Sequence, residues 1–109
     1  MDTTTLSATD LEAIARQIQL QPHQCRVPVE LLDEGNTVPF ITRYRKDRTG
    51  GLDEEKIRQI QEAVELKRQV NDRRERILRS IQSQGALTPE LEQRIHAANS
   101  LKILEDLYL

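Results

Sequence analysis

Apolar residues recur at helical spacing along most of this chain, beginning near its N-terminus. Leu11, Ile14 and Ile18 lie three or four residues apart, which places them on one face of a helix. The segment 9–12 reads Thr-Asp-Leu-Glu, the pattern of a capping box, in which a hydroxyl and a carboxylate satisfy each other's unpaired backbone amides. We therefore expect a first helix to start there and to run to about Leu20.

A second helix is predicted to open at Pro22 and to end at Gly35, a residue suited to the left-handed backbone that closes many helices. Val27 and Leu31, four residues apart, form its apolar stripe. Pro28 interrupts this pattern, because an interior proline removes one backbone hydrogen bond and clashes with the preceding turn. We expect this helix either to kink or to begin late.

A short third helix is predicted to start at Pro39 and to stop before the glycine pair at 50–51. On a helical wheel, one arc holds the residues that we expect to face the core: Phe40, Ile41 and Tyr44. Arg43 and Lys46 point the opposite way. The pattern therefore predicts a helix with one buried face and one cationic face.

The longest helix is predicted from Asp53, a good N-cap, to about Gln84, because this stretch contains no Gly or Pro. It would be roughly 45 Å long at about 1.5 Å per residue. Its apolar stripe is strong at both ends, where it consists of Ile57, Ile60, Val64, Ile77, Leu78 and Ile81. Lys67, Asn71 and Arg74 interrupt the middle of the stripe. We expect packed ends and a middle that is exposed or reserved for a partner.

Two further helices are predicted after Gly85. Thr88 and Pro89 are a cap followed by a proline, and Ser100 is placed to cap a final short helix. The apolar pattern is still running at Leu109, which we interpret as a boundary within a longer protein. The predicted fold class is all-α: a five- to six-helix antiparallel module with one long central helix.

Composition agrees with a single helical domain. The 109 residues are 37% hydrophobic and 31% charged, which supports one domain with a modest core. The single cysteine, Cys25, excludes an internal disulfide. No stretch approaches the roughly 18 apolar residues that a membrane span needs, so we expect a cytoplasmic protein with no membrane partner.

The net charge of −2 hides two cationic segments in an otherwise acidic chain. Residues 67–79 carry six basic and two acidic residues. Within them, Arg68 and Asp72 are four apart, as are Glu75 and Arg79, and such pairs are typical of an exposed helix. We interpret this segment as a solvated face.

Residues 43–48 form the other cationic segment, with four basic residues and one acidic residue. The candidate nucleic-acid-binding residues are Arg43, Arg45, Lys46 and Arg48, because guanidinium and ammonium groups bind phosphates. Tyr44 offers a ring on which an unpaired base can stack, although the wheel turns it toward the core. The alternative stays open that these cations are a solvated face or pair with acidic helices.

Other reactive side chains have simpler interpretations. His23 and Cys25 are spaced like a ligand pair, but the chain holds no second cysteine. The acidic clusters at 33–34 and 53–55 lie at predicted helix ends, and acids in a first turn complement the helix dipole. The segment 49–51 lacks the full phosphate-loop pattern, so an interhelical turn is the better interpretation. We therefore expect no enzymatic activity, no metal site and no cofactor.

Four segments of the chain form a pattern beyond these local signals: 31–46 (LLDEGNTVPFITRYRK), 49–53 (TGGLD), 77–81 (ILRSI) and 104–109 (LEDLYL). In these segments the sequence resembles the Tex family of bacterial transcription accessory proteins. The resemblance spans about residues 10–109 in the right order and spacing. It is specific as a family marker, although it contains no catalytic group.

The resemblance implies a longer parent protein with a role in transcription. Tex proteins join an N-terminal helical region with helix-turn-helix character to a ribonuclease-H-like domain, helix-hairpin-helix elements and a C-terminal OB-fold RNA-binding domain. By this resemblance, residues 9–109 are the N-terminal helical domain, truncated from that longer protein. Residues 1–8, which precede the first predicted cap, are expected to be a disordered tail.

The function implied is that of a monomeric module that positions the downstream domains beside the transcription machinery. From the cationic segment we also expect contact with RNA or DNA through the four basic residues named above, and the acidic balance of the whole chain predicts that this contact is weak for the chain alone. The alternative is a purely structural or protein-interaction scaffold that does not bind nucleic acid.

Overall fold

A computed structural model describes residues 6–108 of the chain, and the regular elements within them are α-helices. In this part of the chain the helices are α1 Ala8–Ile18, α2 Pro22–Asp33, α3 Val38–Tyr44, α4 Lys46–Thr49, α5 Glu54–Ser83, α6 Pro89–Ala97 and α7 Leu101–Tyr108. The predicted all-α class with one long helix is confirmed. The described residues belong to two compact units, 6–67 and 68–108.

The start of α1 differs from the predicted one. Ser7 caps this helix, because its hydroxyl accepts a hydrogen bond from the Asp10 N–H at 3.1 Å. The Asp10 carboxylate in turn accepts the Ser7 N–H at 3.1 Å, which completes a capping box two residues before Thr9. Of the predicted tail, residues 1–5 lie outside the described residues, whereas Leu6 packs against the core of its unit.

Helix α2 starts at Pro22 and continues through Pro28, so the expectation of a late start is wrong. The ring of Pro28 is fully buried, which places it in the core. Gly35 closes the helix with a left-handed φ of 100°, as predicted. The next N–H, of Asn36, then donates to the Leu31 carbonyl at 3.2 Å.

The predicted count of five to six helices is too low, because the third predicted helix is split at Arg45. The Arg45 backbone (φ −129°, ψ 30°) is not helical, so α3 ends just before it and the four-residue α4 follows. Left-handed Gly50 and Gly51 then turn the chain into α5. Asp53 caps α5 as predicted, since its carboxylate accepts the Lys56 N–H at 2.8 Å.

Two apolar clusters form the core of residues 6–67. The first contains Ile14, Ala15, Ile18, Cys25, Val29, Ile60 and Val64. The second contains Leu31, Val38, Ile41 and Ile57. Leu52 packs against both clusters. Because α3 contributes Val38 and Ile41 to this core, its other face is left outside.

The core of residues 68–108 is built by α5, α6 and α7. It contains Val70, Ile77, Ile81, Ile95, Ala98 and Leu104. Thr88 and Ser100 cap α6 and α7 as predicted, accepting backbone N–H groups at 3.1 and 3.2 Å. None of the helices in residues 6–108 is both long and apolar enough to cross a membrane.

The expectation of an exposed middle of α5 is wrong around Val70, which is buried. Arg74, one of the polar residues that interrupt the apolar stripe, donates hydrogen bonds to the backbone carbonyls of Ile95 and Ala98. It also donates to the Asn71 side-chain oxygen at 2.8 Å. A polar side chain at a stripe position therefore adds a second donor to the Ile95 carbonyl, which already accepts the Ala98 N–H, and supplies a donor to the Ala98 carbonyl at the C-cap of α6.

Candidate nucleic-acid interface

The two aromatic residues of α3 lie on its outer face, so the prediction that they face the core is wrong. Phe40 is 37% exposed and Tyr44 is 57% exposed. Their ring centroids are 5.1 Å apart and the rings are tilted by 48°. The sequence argument started the helix at Pro39 and so left Val38 out of the apolar stripe.

Val38 is in fact the first helical residue and is buried together with Ile41, three residues later. Thr37 fixes this start, because its hydroxyl accepts the Phe40 N–H at 3.2 Å. With Val38 and Ile41 inside, Phe40 falls outside the buried face of α3. Tyr44 lies one turn after Phe40, at the last position of α3, and is also exposed. Phe40 was missed as a candidate site residue, and the signal available in the sequence was an aromatic pair at i,i+4 beside basic residues.

Arg45 is held against the aromatic pair. Its guanidinium carbon lies 5.0 Å from the centroid of the Phe40 ring, within the range of a cation–π contact. The same guanidinium donates to the Tyr44 carbonyl at 3.0 Å. These contacts leave Arg45 half-buried and hold its guanidinium against the Phe40 ring.

Arg43 and Lys46 lie on the exposed side of the same surface. They line a shallow open depression of about 400 Å³ together with Pro39, Phe40, Thr42, Tyr44 and Glu54. Arg48, in α4, is exposed but does not line the depression. Of the four predicted residues, the structure thus brings Arg43, Arg45 and Lys46 together with the aromatic pair and leaves Arg48 apart.

The electrostatics of this depression are mixed but favour anions. Within the described residues, Arg43, Arg45, Lys46 and Arg48 form no ion pair with a carboxylate. The one acid that lines the depression, Glu54, is already engaged by Arg58 at 2.6 Å. The hydrogen bond that Arg58 donates to the Glu54 carboxylate, together with the negative charge of Glu54, raises the pKa of Arg58.

The phosphate-binding turn and the reactive or metal-ligating side chains considered from the sequence do not have the geometry that such sites require. The N–H groups of Gly50 and Gly51 both donate to the Lys46 carbonyl at 3.0 Å, so they are not free to cradle a phosphate. Cys25 is fully buried, and burial raises the pKa of its thiol. No cluster of three potential metal ligands occurs among residues 6–108.

The second cationic segment is not merely a solvated face. Arg73 binds Glu105 on α7, and Arg74 binds the end of α6. Asp72, expected opposite Arg68, pairs with Arg76 at 3.1 Å. The two central arginines are therefore used to hold the unit 68–108 together.

The fold and this surface define an all-α module that presents cations and aromatic rings on two consecutive short helices, α3 and α4. A family model described as the Tex-like protein N-terminal domain matches residues 8–82. On that match and on the relatives below, the chain belongs to the Tex family.

Three relatives illustrate the range of similarity. Protein YhgF of Escherichia coli strain K12 is 51% identical over 96 residues, which cover 88% of this chain and 12% of that protein. The transcriptional accessory protein Tex of Neisseria gonorrhoeae is 43% identical over 96 residues, 88% of this chain and 13% of that protein. The human S1 RNA-binding domain-containing protein 1 is 27% identical over 97 residues, 89% of this chain and 9% of that protein. The chain thus spans a small part of the length of these relatives.

Proposed function

We propose that this chain is the N-terminal module of a transcription accessory protein and that it contacts nucleic acid through the cationic surface of α3 and α4. The observation that carries the proposal is the exposure of Arg43 and Lys46 without a carboxylate partner among the described residues. Cations in that state attract phosphates, because no internal ion pair has to be broken first. Arg45 and Arg48 add charge to the same segment.

The names of relatives support a partner of this kind. One is named a transcriptional accessory protein, and another is named for an RNA-binding domain. Within the longer protein, the module positions the domains that follow it. It acts in the cytoplasm as a monomer beside the transcription machinery.

Binding by this chain alone is weak and strongly dependent on salt. The net charge of −2 repels a polyanion over most of the surface. Neutralising two to four phosphates gives a slope of about −1.4 to −2.8 for log affinity against log salt on a single strand. Affinity therefore falls steeply between low and physiological salt.

The experiment is fluorescence anisotropy of the chain with labelled single-stranded RNA, single-stranded DNA and duplex DNA, at low and near-physiological salt. The double variant Arg43→Glu/Lys46→Glu is expected to bind more weakly and with a shallower salt slope on every nucleic acid. Arg94→Glu/Lys102→Glu is the matched control, since it makes the same charge change at two exposed cations of the other unit.

Equal losses in the variant and in the control would mean that only net charge matters, and the proposed surface would be wrong. Absence of binding even at low salt would contradict the proposal altogether. The module would then be a structural or protein-interaction scaffold.

A further inference from the structure

The Phe40–Tyr44 pair points to a specific class of ligand for this surface. The whole chain contains three aromatic residues, and two of them are exposed side by side on α3. Aromatic side chains can bury more apolar area in a core than most other residues, yet Phe40 and Tyr44 lie outside the core of this protein. They lie beside Arg43 and Lys46, which form no ion pair with a carboxylate among residues 6–108. This position therefore suits a ligand with both a flat apolar face and negative charge.

We infer that Tyr44, supported by Phe40, is a stacking platform for one unpaired base, so that the surface selects single-stranded nucleic acid over duplex. This inference rests on the proposed function, because the cations would hold the phosphates on either side of the stacked base. It adds a preference for single-stranded nucleic acid over duplex, which charge alone does not provide.

The geometry leaves Tyr44 available for stacking. The tilt of 48° between the two rings means that Phe40 does not cover Tyr44 in parallel, and more than half of Tyr44 remains exposed. Phe40 is held from one side by the Arg45 guanidinium, 5.0 Å from its centroid. Arg45 thus limits the movement of the Phe40 ring, and the Tyr44 ring next to it faces the solvent.

Size and charge agree with a single nucleotide as occupant. The depression of about 400 Å³ lies within the range of about 300–1,000 Å³ that small-ligand sites occupy. Arg43 and Lys46 line the same depression as the two rings, so one nucleotide can reach ring and cation together. A duplex presents phosphates but keeps the faces of its bases stacked inside, so it can use only the cations.

The test compares Tyr44→Leu, Tyr44→Phe and Arg43→Glu with the unmodified chain. Each protein is titrated with single-stranded RNA and single-stranded DNA of one sequence and with the corresponding duplex. Single strands that carry the fluorescent base 2-aminopurine report stacking directly, because stacking on the ring quenches that base. Circular dichroism verifies that each variant keeps its helices.

Tyr44→Leu is expected to weaken single-strand binding by about 5- to 150-fold, the usual effect of losing one stacked base. It should also abolish the quenching and leave duplex binding and the salt slope unchanged. Tyr44→Phe should retain stacking, since the ring remains. Arg43→Glu should instead lower binding to all three nucleic acids.

Two outcomes separate the inference from the proposal on which it rests. Equal affinity for single strands and duplex, unaffected by Tyr44→Leu but reduced by Arg43→Glu, would overturn the stacking platform and leave the cationic surface standing. No binding by the unmodified chain at low salt would overturn both. A preference for RNA over DNA in the single-strand titrations would show contact with the sugar in addition to the base.

Discussion

Arg73 and Glu105 form a two-pronged ion pair that joins α5 to α7 within the unit 68–108. The Arg73 Nε and Nη2 atoms donate to the two Glu105 carboxylate oxygens at 2.5 and 3.0 Å. The same guanidinium lies 5.6 Å from the Tyr108 ring centroid, and the Tyr108 hydroxyl is 2.7 Å from the Ser80 hydroxyl. The last helix is thus fixed to α5 by polar contacts as well as by Leu104 in the core.

This pair predicts an acid-sensitive component of stability. The hydrogen bond from Arg73 holds the pKa of Glu105 below its ordinary value. A carboxylate with a depressed folded-state pKa contributes stability above its unfolded pKa, and that contribution is lost as pH falls through the folded pKa. Glu105→Gln should therefore lower the melting temperature slightly at neutral pH and flatten its decline toward about pH 2.

Thermal unfolding followed by circular dichroism across that pH range measures the effect. Glu90→Gln is the control, because Glu90 is more exposed and makes only an i,i+4 pair with Arg94 at 3.4 Å. If the two variants lose stability with the same pH profile, the Arg73–Glu105 pair does not contribute specifically. Arg73→Lys should show an intermediate effect, because the ammonium keeps the charge but not the two-pronged geometry.

Arg74→Met is expected to destabilise the unit 68–108 by about 1.5–3 kcal/mol, because it leaves carbonyls at the end of α6 without their charged donor. Methionine retains most of the apolar stem, so the loss reports the hydrogen bonds. Urea unfolding gives the free energy of unfolding, and hydrogen exchange of the α6 amides locates the change.

Arg76→Met is the matched control for that substitution. Arg76 is 65% exposed and pairs with Asp72 within the same helix, so its removal should change stability by less than about 0.5 kcal/mol. Equal losses for Arg74→Met and Arg76→Met would show that the contacts to α6 add nothing.

Pro28→Ala is expected to stabilise the chain by about 1 kcal/mol. An interior proline is about 3 kcal/mol less favourable than alanine in a helix, whereas the buried ring offers roughly two more methylene groups worth about 0.8 kcal/mol each. The helix penalty of proline is larger than the loss of buried apolar area, so the substitution should raise the urea concentration at which half of the protein is unfolded. Pro22→Ala, at the first position of α2, should change little, because no hydrogen bond is missing there. A clear loss of stability in Pro28→Ala would show that packing of the ring outweighs the missing bond.

Glu54→Gln is expected to tighten binding of single-stranded nucleic acid at low salt by about two- to fivefold, since it removes the acid that lines the depression. Stability should fall slightly, because Arg58 loses the closer of its two carboxylate partners. Glu55→Gln makes the same charge change in the same turn at a residue outside the depression, and anisotropy should show a smaller effect. Equal tightening by both variants would mean that the depression is not where phosphates bind.

Helix ends in this protein were largely predictable, because they depend on a few neighbouring residues. Asp53, Thr88 and Ser100 cap helices as expected, and Gly35 and Gly85 take left-handed backbones where their helices end. The prediction failed at the first helix, where Ser7 and Thr9 are both followed by an acid three residues later. Both positions have the same capping-box pattern, so the local sequence does not show which of the two residues caps the helix.

The sequence by itself determined the all-α class, most helix boundaries and the cationic segment 43–48, since each follows from spacing, composition and turn chemistry within one segment. Tertiary structure decided which face of α3 is buried, because the contact of Val38 and Ile41 with Leu31 and Ile57 turned the aromatic pair outward. It also assigned Arg73 a partner 32 residues away along the chain. The partner of a polar residue far along the chain depends on how the helices pack against each other. The spacing of apolar residues within one helix does not determine that packing.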